Sequence, residues 1–321
     1  CDPGRIHLHG NNKSEEELRY AISSGVGQLI VDSFDEIELL DGLLDRPQRV
    51  LIRITPGIRA STHSYIQTGQ EDSKFGFGLA DGLAERAVSE VRASKHLELV
   101  GLHAHIGSQI FELEPYVKAI EVLADFTRSV DLRPEILNVG GGLGIAYLDS
   151  DEPPAIADYV DVKVRGIERV FDPVPRIAIE PGRSLVGNAG LTAYRVGTVK
   201  EIPGVRTYVA VDGGMSDNLR PMLYQSVYEA VIADRAGEPA ETEATIAGKH
   251  CESGDVLIRD VRLAEPRVGD VLVTPATGAY GHSMANNYNG VPRPPVVFCR
   301  DGSSRVVMRR ETWDDLLSRD A

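Results

Sequence analysis

The chain has 321 residues, which is enough for one large domain or two ordinary ones. Its hydrophobic fraction of 42% and charged fraction of 26% are typical of a water-soluble protein, and no apolar run of about 18 residues is present to span a membrane. The formal net charge of -14 argues against a general nucleic-acid binder, because contacts with phosphates need a basic face.

The start of the chain and its cysteines suggest where the protein works. The first residues are interrupted by Asp2 and Arg5, so they do not form the apolar core of a signal peptide. Cys1, Cys251 and Cys299 are too few for a disulfide framework. A reducing cytoplasm is therefore expected.

Strands and helices are predicted to alternate up to about residue 180. The strands are nearly continuous apolar runs, as expected for parallel strands buried on both faces, and right-handed βα crossovers should join them. The predicted strands are residues 5–9, 28–32, 49–55, 97–106, 135–140 and 176–180. The predicted helices are residues 14–25, 35–44, 81–94, 114–130 and 155–171.

Short strands at close spacing, separated by Gly, Pro and Asp, follow residue 190. This pattern is typical of an all-β sandwich or barrel. We therefore predict an α/β domain over residues 1–190 and a β-domain over residues 191–321. The predicted strands of the β-domain lie in residues 191–202, 206–214, 241–248, 255–263, 269–277, 294–300 and 304–311.

The first domain has six predicted βα units. An open, doubly wound sheet could end there, whereas a closed (β/α)₈ barrel needs eight strands. Several strands carry polar or Gly-rich residues at their carboxyl ends, where a barrel keeps its active site. If the fold is a barrel, two units, on the order of 60 residues, are expected upstream of Cys1.

Two loops at these strand ends suggest a phosphate site. "NVGGGLG" (138–144) is a glycine-rich stretch after a strand, where backbone N–H groups can approach a phosphate. "IEPGRS" (179–184) adds the Glu180 carboxylate and the Arg183 guanidinium. Each alone could be an ordinary turn. Together, at one barrel face, they favour a phosphorylated ligand.

Two His-x-His pairs leave a metal site open as an alternative. His103 and His105 share a strand face, and His7 and His9 have the same spacing. Such pairs occur in barrel hydrolases that bind divalent ions. Elemental analysis for bound zinc would test this hypothesis.

The second domain contains three further motifs. "VDGGMSDNLRPMLY" (211–224) carries Arg220 and Tyr224, and "TGAYGHSMANNYN" (277–289) carries Tyr280, yet all three could be ordinary turn or surface residues. "GKHCESGDVL" (248–257) places Cys251 beside Glu252 in a tight turn, although a lone cysteine is most often a small core residue.

Taken in order, these motifs resemble the series found in diaminopimelate decarboxylases. The motifs that carry the resemblance are "HGNNKS" (9–14), "HAHIGSQ", "NVGGGLG", "EPGRS", "DNLRPMLY", "CESGD" and "TGAYGHSMANNYN". The resemblance extends over residues 5–317, with His282 as a departure where an aromatic residue is expected. The family belongs to the alanine-racemase-like, pyridoxal phosphate (PLP) enzymes. It implies a PLP-binding (β/α)₈ barrel, a C-terminal β-domain and a homodimer with shared active sites.

The resemblance also implies roles for individual residues. Glu180 would face the pyridine nitrogen and keep it protonated, which makes the ring a better electron sink. His105 would stack on the ring, and Tyr280 would touch the cofactor. The residues expected to hold its phosphate are Gly140, Gly141, Gly142 and Arg183, with Ser108 close by.

The implied substrate is meso-2,6-diaminopimelate, which is decarboxylated to L-lysine in the last step of lysine biosynthesis. Arg220 and Glu252 suit the carboxylate and ammonium of its distal end. Cys251, reaching in from the partner subunit, would protonate the carbanion. The residues matching substrate-binding positions are Arg183, Arg220, Tyr224, Glu252 and Tyr280.

The family's Schiff-base lysine has no counterpart among the lysines of this sequence. Lys13 follows the first predicted strand, but it belongs to the "HGNNKS" motif. We therefore expect a chain lacking its N-terminal segment, with weak PLP binding and no turnover. A decarboxylase of another basic amino acid or of carboxynorspermidine, and a non-catalytic relative, are the alternatives.

Overall fold

The computed structural model describes residues 1–58, 73–80 and 82–320, which form two compact units. Unit 1 comprises Cys1–Gly144 and Pro153–Gly182, and unit 2 comprises Ile145–Glu152 and the chain from Arg183 onward. The boundary between the two units thus falls after Gly182. A short segment from the middle of the first predicted domain, Ile145–Glu152, packs with the second unit.

Unit 1 alternates strands and helices in the predicted order. Its strands are β1 (His7–Leu8), β2 (Gln28–Val31), β3 (Gln48–Thr55), β4 (Phe77–Gly78), β5 (Leu97–His103), β6 (Ile136–Asn138) and β7 (Arg176–Ala178). Its helices are α1 (Glu15–Ser23), α2 (Phe34–Leu43), α3 (Leu83–Ala93), α4 (Glu114–Ser129) and α5 (Ile156–Val170).

All six predicted strands and all five predicted helices of this unit are confirmed. The short β4 was not predicted, and Asp81, where the third helix was expected to begin, lies outside the described residues. Helix α1 begins with the capping box that the sequence indicates: the Ser14 hydroxyl accepts from the Glu17 amide, and the Glu17 carboxylate accepts from the Ser14 amide.

The sheet of unit 1 is parallel and curled. Its strands run in the order β1-β2-β3-β5-β6-β7, with β4 paired to β3. Four strands separate β1 from β7 in this order, yet His9, just after β1, lies 2.6 Å from Glu180, just after β7. A flat sheet could not bring these ends together. The curl therefore gathers the carboxyl ends of the strands around one site, as in a barrel.

The core of unit 1 lies where the helices pack on the sheet. Leu29, Ile52 and Leu102 from the strands and Leu18 and Ile120 from the helices are fully buried. Burying each such side chain contributes about 1.5–3 kcal/mol, which holds the helices against the strands.

Unit 2 is built mainly from strands. They are β8 (Thr192–Ile202), β9 (Arg206–Val211), β10 (Val231–Ile232), β11 (Thr242–Ala247), β12 (Val256–Leu263), β13 (Val271–Thr274), β14 (Val296–Arg300) and β15 (Ser303–Met308). Its helices are short: α6 (Arg183–Val186), α7 (Arg220–Tyr224), α8 (Gly281–Met284) and α9 (Trp313–Leu317).

Two sheets organise unit 2. Six strands pair in the order β10-β13-β8-β9-β11-β12, and β14 pairs with β15. The pairs are antiparallel except for β9 with β11. Val209, Ile246 and Leu272 are fully buried in the core of this unit. The seven strands predicted after residue 190 are confirmed, whereas the short β10 was not predicted.

No helix among the described residues is both long and apolar enough to cross a lipid bilayer.

Candidate active site

Glu180 is the centre of a polar cluster in unit 1. His9 Nε2 lies 2.6 Å from Oε1 of Glu180, and the Asn138 amide donates to the same oxygen over 2.8 Å. His103 Nε2 lies 3.1 Å from Oε2. Because an ionised carboxylate only accepts hydrogen bonds, both histidines must carry their proton on Nε2.

Strand order explains this convergence. His103 ends β5 and pairs in register with Asn138, which ends β6 and pairs with Ala178 of β7. Glu180 comes two residues after that strand, and His9 follows β1. Parallel strands therefore deliver all four side chains to one edge of the sheet.

The cluster keeps Glu180 ionised. Burial opposes the charge, but hydrogen bonds from His103 and His9 outweigh it and hold the pKa of the carboxyl well below its usual range. Burial also lowers the pKa of His103 to about 4 and that of His105 to about 3, so both rings are neutral at pH 7.

One acceptor position of Glu180 remains available. A carboxylate has about four acceptor positions, of which His9 and Asn138 use two on Oε1 and His103 uses one on Oε2. The side chain is 32% exposed, so a ligand can reach it. The arrangement suits a cationic N–H donor against the free side of Oε2.

These pKa shifts predict acid sensitivity. The unfolded chain binds a proton at His103 near pH 6.5 that the folded chain resists until about pH 4. Stability should therefore fall as the pH drops across this range, by at most about 1.4 kcal/mol per pH unit for one histidine. Below the ordinary pKa of a glutamate, Glu180 adds a loss of the same sign.

Urea unfolding between pH 4 and 7 measures this loss. The His103→Gln variant should show a shallower decline in the free energy of unfolding than the wild type, and His282→Gln controls for removing a histidine elsewhere. If the wild type and His103→Gln decline equally, His103 is not the group responsible.

The glycine stretch Gly140–Gly142 packs tightly against its neighbours. Gly140 has φ +61°, and a Cβ there would lie 2.6 Å from the Ala104 carbonyl oxygen. A Cβ on Gly141 would lie 2.1 Å from the Glu180 carbonyl oxygen. Larger residues would push this loop away from the strand ends that carry Glu180.

Not all amides of this loop are available to a ligand. The Gly140 amide donates to Asn138 Oδ1 over 3.0 Å, and the Gly141 amide donates to His105 Nδ1 over 3.3 Å. Within the described residues, the Gly142 amide has no hydrogen-bond acceptor. An anion at this loop would thus be bound through Gly142, while Gly140 and Gly141 fix the loop to Asn138 and His105. Ser108 lies half-buried in the loop after β5 that also carries His105.

Arg220 is a buried cation in unit 2. It begins α7, is 5% exposed and donates from Nη1 to the Tyr228 hydroxyl. Its guanidinium carbon lies 4.7 Å from the centroid of the Tyr147 ring. No carboxylate among the described residues lies within ion-pair distance of it. A buried arginine without an anion suits a ligand carboxylate.

Arg183 lies in the same unit and shares Tyr147 with Arg220. It is buried and donates from Nη1 to the Tyr147 hydroxyl. Its guanidinium carbon lies 4.8 Å from the centroid of the Tyr280 ring. Tyr280 has φ +64°, which is uncommon for a residue other than glycine and occurs often at functional sites. Unit 2 thus brings together three of the predicted site residues.

Cys251 and Glu252 lie in an exposed turn of unit 2. Both side chains face solvent, and the Tyr288 hydroxyl donates to Glu252. The interpretation of Cys251 as a core residue is therefore wrong. Within the described residues Glu252 forms no ion pair with Arg220. Tyr224, at the end of the helix that Arg220 begins, is half-buried.

Lys13 has a structural role. It is buried, forms an ion pair with Glu36 at 2.8 Å and donates to the carbonyls of Gly10 and Ile30. All its donor capacity is used within the chain, which agrees with its rejection as the family's Schiff-base lysine.

The two His-x-His pairs do not converge on one point. His9 and His103, one from each pair, face Glu180, and their ligand atoms lie within 4.8 Å of one another, close enough to hold one metal ion. His105 instead accepts from the Gly141 amide, and His7 lies 3.5 Å from the Asn138 side chain. The paired spacing therefore does not make a four-histidine site.

Four residues that hydrogen-bond with the predicted site residues were not identified from the sequence: Asn138, Tyr147, Lys163 and Tyr228. Asn138 begins the "NVGGGLG" motif, but only the tertiary structure shows its side chain linking the glycine loop to Glu180. Lys163 donates from Nζ to the carbonyl oxygens of Val139 and Gly140, and the sequence offered a sign of it, since it is a charged residue within the apolar stripe of α5.

Comparison with known proteins defines the class. The family described as "Pyridoxal-dependent decarboxylase, pyridoxal binding domain" matches residues 1–187. The diaminopimelate decarboxylase of Bacillus subtilis strain 168 is 52% identical over 328 residues, which cover 98% of this chain and 74% of that protein. The curled sheet and its site therefore belong to a pyridoxal-dependent decarboxylase.

Solved structures narrow the class further. A diaminopimelate decarboxylase of M. jannaschii in complex with L-lysine has a TM-score of 0.91 and 34% identity, covering 100% of this chain and 75% of that one. The Helicobacter pylori enzyme, complexed with L-lysine, has a TM-score of 0.89 and 32% identity, covering 99% and 79%. This chain belongs to the diaminopimelate decarboxylase family, and the predicted PLP-binding barrel fold is confirmed.

Proposed function

We propose that this chain carries the cofactor and substrate sites for decarboxylation of meso-2,6-diaminopimelate to L-lysine, the last step of lysine biosynthesis. The observation that carries the proposal is the Glu180 carboxylate, held ionised by three donors with one acceptor position left. That position fits the protonated ring nitrogen of pyridoxal phosphate, and the Gly142 amide fits its phosphate.

When bound, the cofactor supplies an electron sink for the electron pair left when carbon dioxide departs. Glu180 holds a proton at the ring nitrogen, since an anion beside it favours the cationic form. His9, His103 and Asn138 prevent the carboxylate from turning away. His105, whose Nδ1 accepts from the Gly141 amide, is proposed to pack on the ring.

The substrate has an amino-acid group at each end, and unit 2 offers groups of matching charge. Arg220 suits the distal carboxylate because its guanidinium is buried and has no carboxylate partner in the described part of the chain. Glu252 suits the distal ammonium. Arg183, Tyr224 and Tyr280 complete the proposed set of substrate contacts, with Arg183 and Tyr280 also serving the cofactor.

Cys251 is proposed as the proton donor that completes the reaction, contributed to the active site of the partner subunit in a homodimer. Its exposed position supports this role. Cys251→Ala should lower kcat of the holoenzyme by about 10²- to 10⁴-fold, the usual contribution of a positioned acid, with a small change in KM. Steady-state kinetics measure kcat and KM separately. Cys299→Ala is the matched control, because Cys299 is another exposed cysteine.

Subunit mixing tests the shared site. Co-expression of Cys251→Ala and Glu180→Gln subunits in equal amounts should restore about a quarter of the wild-type activity, because half of the dimers are mixed and each has one intact site. No restoration would mean that the two residues act within one subunit.

A substrate panel tests the proposed reaction. With the full-length holoenzyme, release of carbon dioxide should be fast from meso-diaminopimelate and slow from L-lysine, L-ornithine and L-arginine. Preference for one of the other amino acids would favour the alternative substrate class, and cofactor binding without turnover of any substrate would favour a non-catalytic relative.

We propose a cytoplasmic location, supported by three free cysteines among the described residues. It stays a prediction that the lysine which holds the cofactor covalently in the family has no counterpart among the lysines of this sequence. Lys13 and Lys163 are buried and bound to protein carbonyls, and Lys74, Lys95, Lys118, Lys200 and Lys249 are exposed.

A further inference from the structure

Lys163 lies inside the apolar stripe of α5. The buried residues of this helix are Tyr159, Lys163, Gly166 and Ile167, whose spacing places them on one face. Lys163 is 1% exposed. A buried ammonium group is costly unless hydrogen bonds or an opposite charge compensate for the lost water.

Backbone oxygens and a hydroxyl compensate for this burial. Nζ of Lys163 donates to the carbonyl oxygens of Val139 and Gly140, each over 3.0 Å, and to the Tyr159 hydroxyl over 2.6 Å. These bonds use all three donors of the ammonium. The Gly140 carbonyl also accepts from the Glu180 amide over 3.1 Å. Lys163 thus binds the backbone that leads into the glycine stretch.

Two aromatic rings enclose the same ammonium. Nζ lies 4.2 Å from the centroid of the Tyr159 ring and 4.6 Å from that of Tyr116, within the range of cation–π attraction. Among the described residues, no carboxylate lies within 4 Å of it. The charge therefore has no nearby counter-ion, and in a buried site its field reaches beyond its immediate contacts.

We propose that Lys163 is a positioning residue for the cofactor phosphate, an inference that rests on the proposed function of the glycine loop. By holding the Val139 and Gly140 carbonyls, it fixes the loop so that the Gly142 amide faces the phosphate. Its positive charge, behind the loop, favours the phosphate dianion as the missing counter-ion.

The protonation states around Lys163 make this role testable by pH. Burial lowers the pKa of Lys163 to about 7, partly opposed by the charge of Glu180. Tyr116 and Tyr159 have pKa values raised by burial, and His105 and Glu180 have lowered pKa values, so none of these four groups titrates between pH 7 and 9. Loss of the Lys163 proton is then the change that this cluster undergoes in that range.

The test compares two ligands without an aldehyde, pyridoxine 5′-phosphate and pyridoxine, so that no lysine can bind them covalently. Their dissociation constants are measured calorimetrically for wild type, Lys163→Met and the control Lys118→Met, an exposed lysine of α4. The ratio of the two constants isolates the contribution of the phosphate.

We expect Lys163→Met to weaken binding of pyridoxine 5′-phosphate by at least about tenfold while pyridoxine binding changes by less than about twofold. In the wild type the preference for the phosphorylated ligand should fall from pH 7 to 9, and in Lys163→Met it should be flat. Lys118→Met should behave as wild type.

An unchanged preference in Lys163→Met, or equal losses for both ligands, would overturn the proposal. If Lys163→Met does not fold, the wild-type profile decides, and a preference that stays constant from pH 7 to 9 overturns it. A wild type that binds both ligands equally would refute the phosphate role of the glycine loop itself. That result differs from a wild-type preference that survives in the variant, which would refute only the role of Lys163.

Discussion

Replacing Glu180 with glutamine is expected to lower kcat of the holoenzyme by about 10²- to 10³-fold, the cost of removing one preorganised electrostatic group from an active site. The amide has nearly the same shape but no charge, so it no longer favours a proton at the nitrogen it faces. It also places an NH₂ group among the donors of His9, His103 and Asn138. The effect should therefore be on kcat far more than on the KM of the substrate.

Steady-state kinetics with meso-diaminopimelate measure this effect. Glu114→Gln is the matched control, because Glu114 lies exposed on α4 and pairs with Lys118. The control should retain wild-type kinetics. A Glu180→Gln variant within about threefold of the wild-type kcat, a difference of less than 1 kcal/mol, would remove Glu180 from the chemistry.

Replacing Arg220 with alanine is expected to raise KM for meso-diaminopimelate by about 100-fold. Truncating one partner of a buried, hydrogen-bonded charge pair costs about 2–5 kcal/mol, and the substrate's distal carboxylate is the proposed partner. Because this group lies far from the bond that breaks, kcat should fall much less than KM rises. Arg220→Lys should recover part of the loss, since lysine keeps the charge but not the paired donors.

Arg259→Ala is the control for this experiment, because Arg259 is exposed on β12 of the same unit. Competition by L-lysine, which keeps the distal carboxylate and lacks the one released as carbon dioxide, should weaken by a similar factor in Arg220→Ala, whereas competition by 1,5-diaminopentane, which has no carboxylate, should be nearly unchanged. An unchanged KM for meso-diaminopimelate would contradict the assignment of Arg220, and an equal loss of 1,5-diaminopentane binding would indicate general damage to the site.

The fold was largely predictable because local patterns and packing agree. Near-continuous apolar strands, such as β2 and β3, alternate with amphipathic helices. The spacing of the apolar residues along the chain distinguishes the two kinds of element. The short β4 and β10 were missed, since two-residue strands are defined by their pairing partners and not by their own sequence. The curl of the sheet was expected from the family resemblance, and the contact between His9 and Glu180 shows it directly.

The site was predictable where its residues lie in motifs, and less so where they act through space. Glu180, Gly142 and Arg220 were proposed as site residues from their motifs. The residues that hydrogen-bond with them lie in other parts of the chain. Asn138 and His9 reach Glu180 from the ends of other strands, and Tyr228 lies eight residues after Arg220. Lys163 could have been noticed as a charge in an apolar stripe, but its partners are backbone carbonyls, which no sequence pattern reports.

The most direct test of the account is a crystal structure of the holoenzyme with pyridoxal phosphate. The ring nitrogen should lie about 2.7–2.9 Å from Oε2 of Glu180, the distance of a charge-assisted hydrogen bond, and a phosphate oxygen should accept from the Gly142 amide. A ring nitrogen paired with another group, or a metal ion held by His9, His103 and Glu180, would contradict the account.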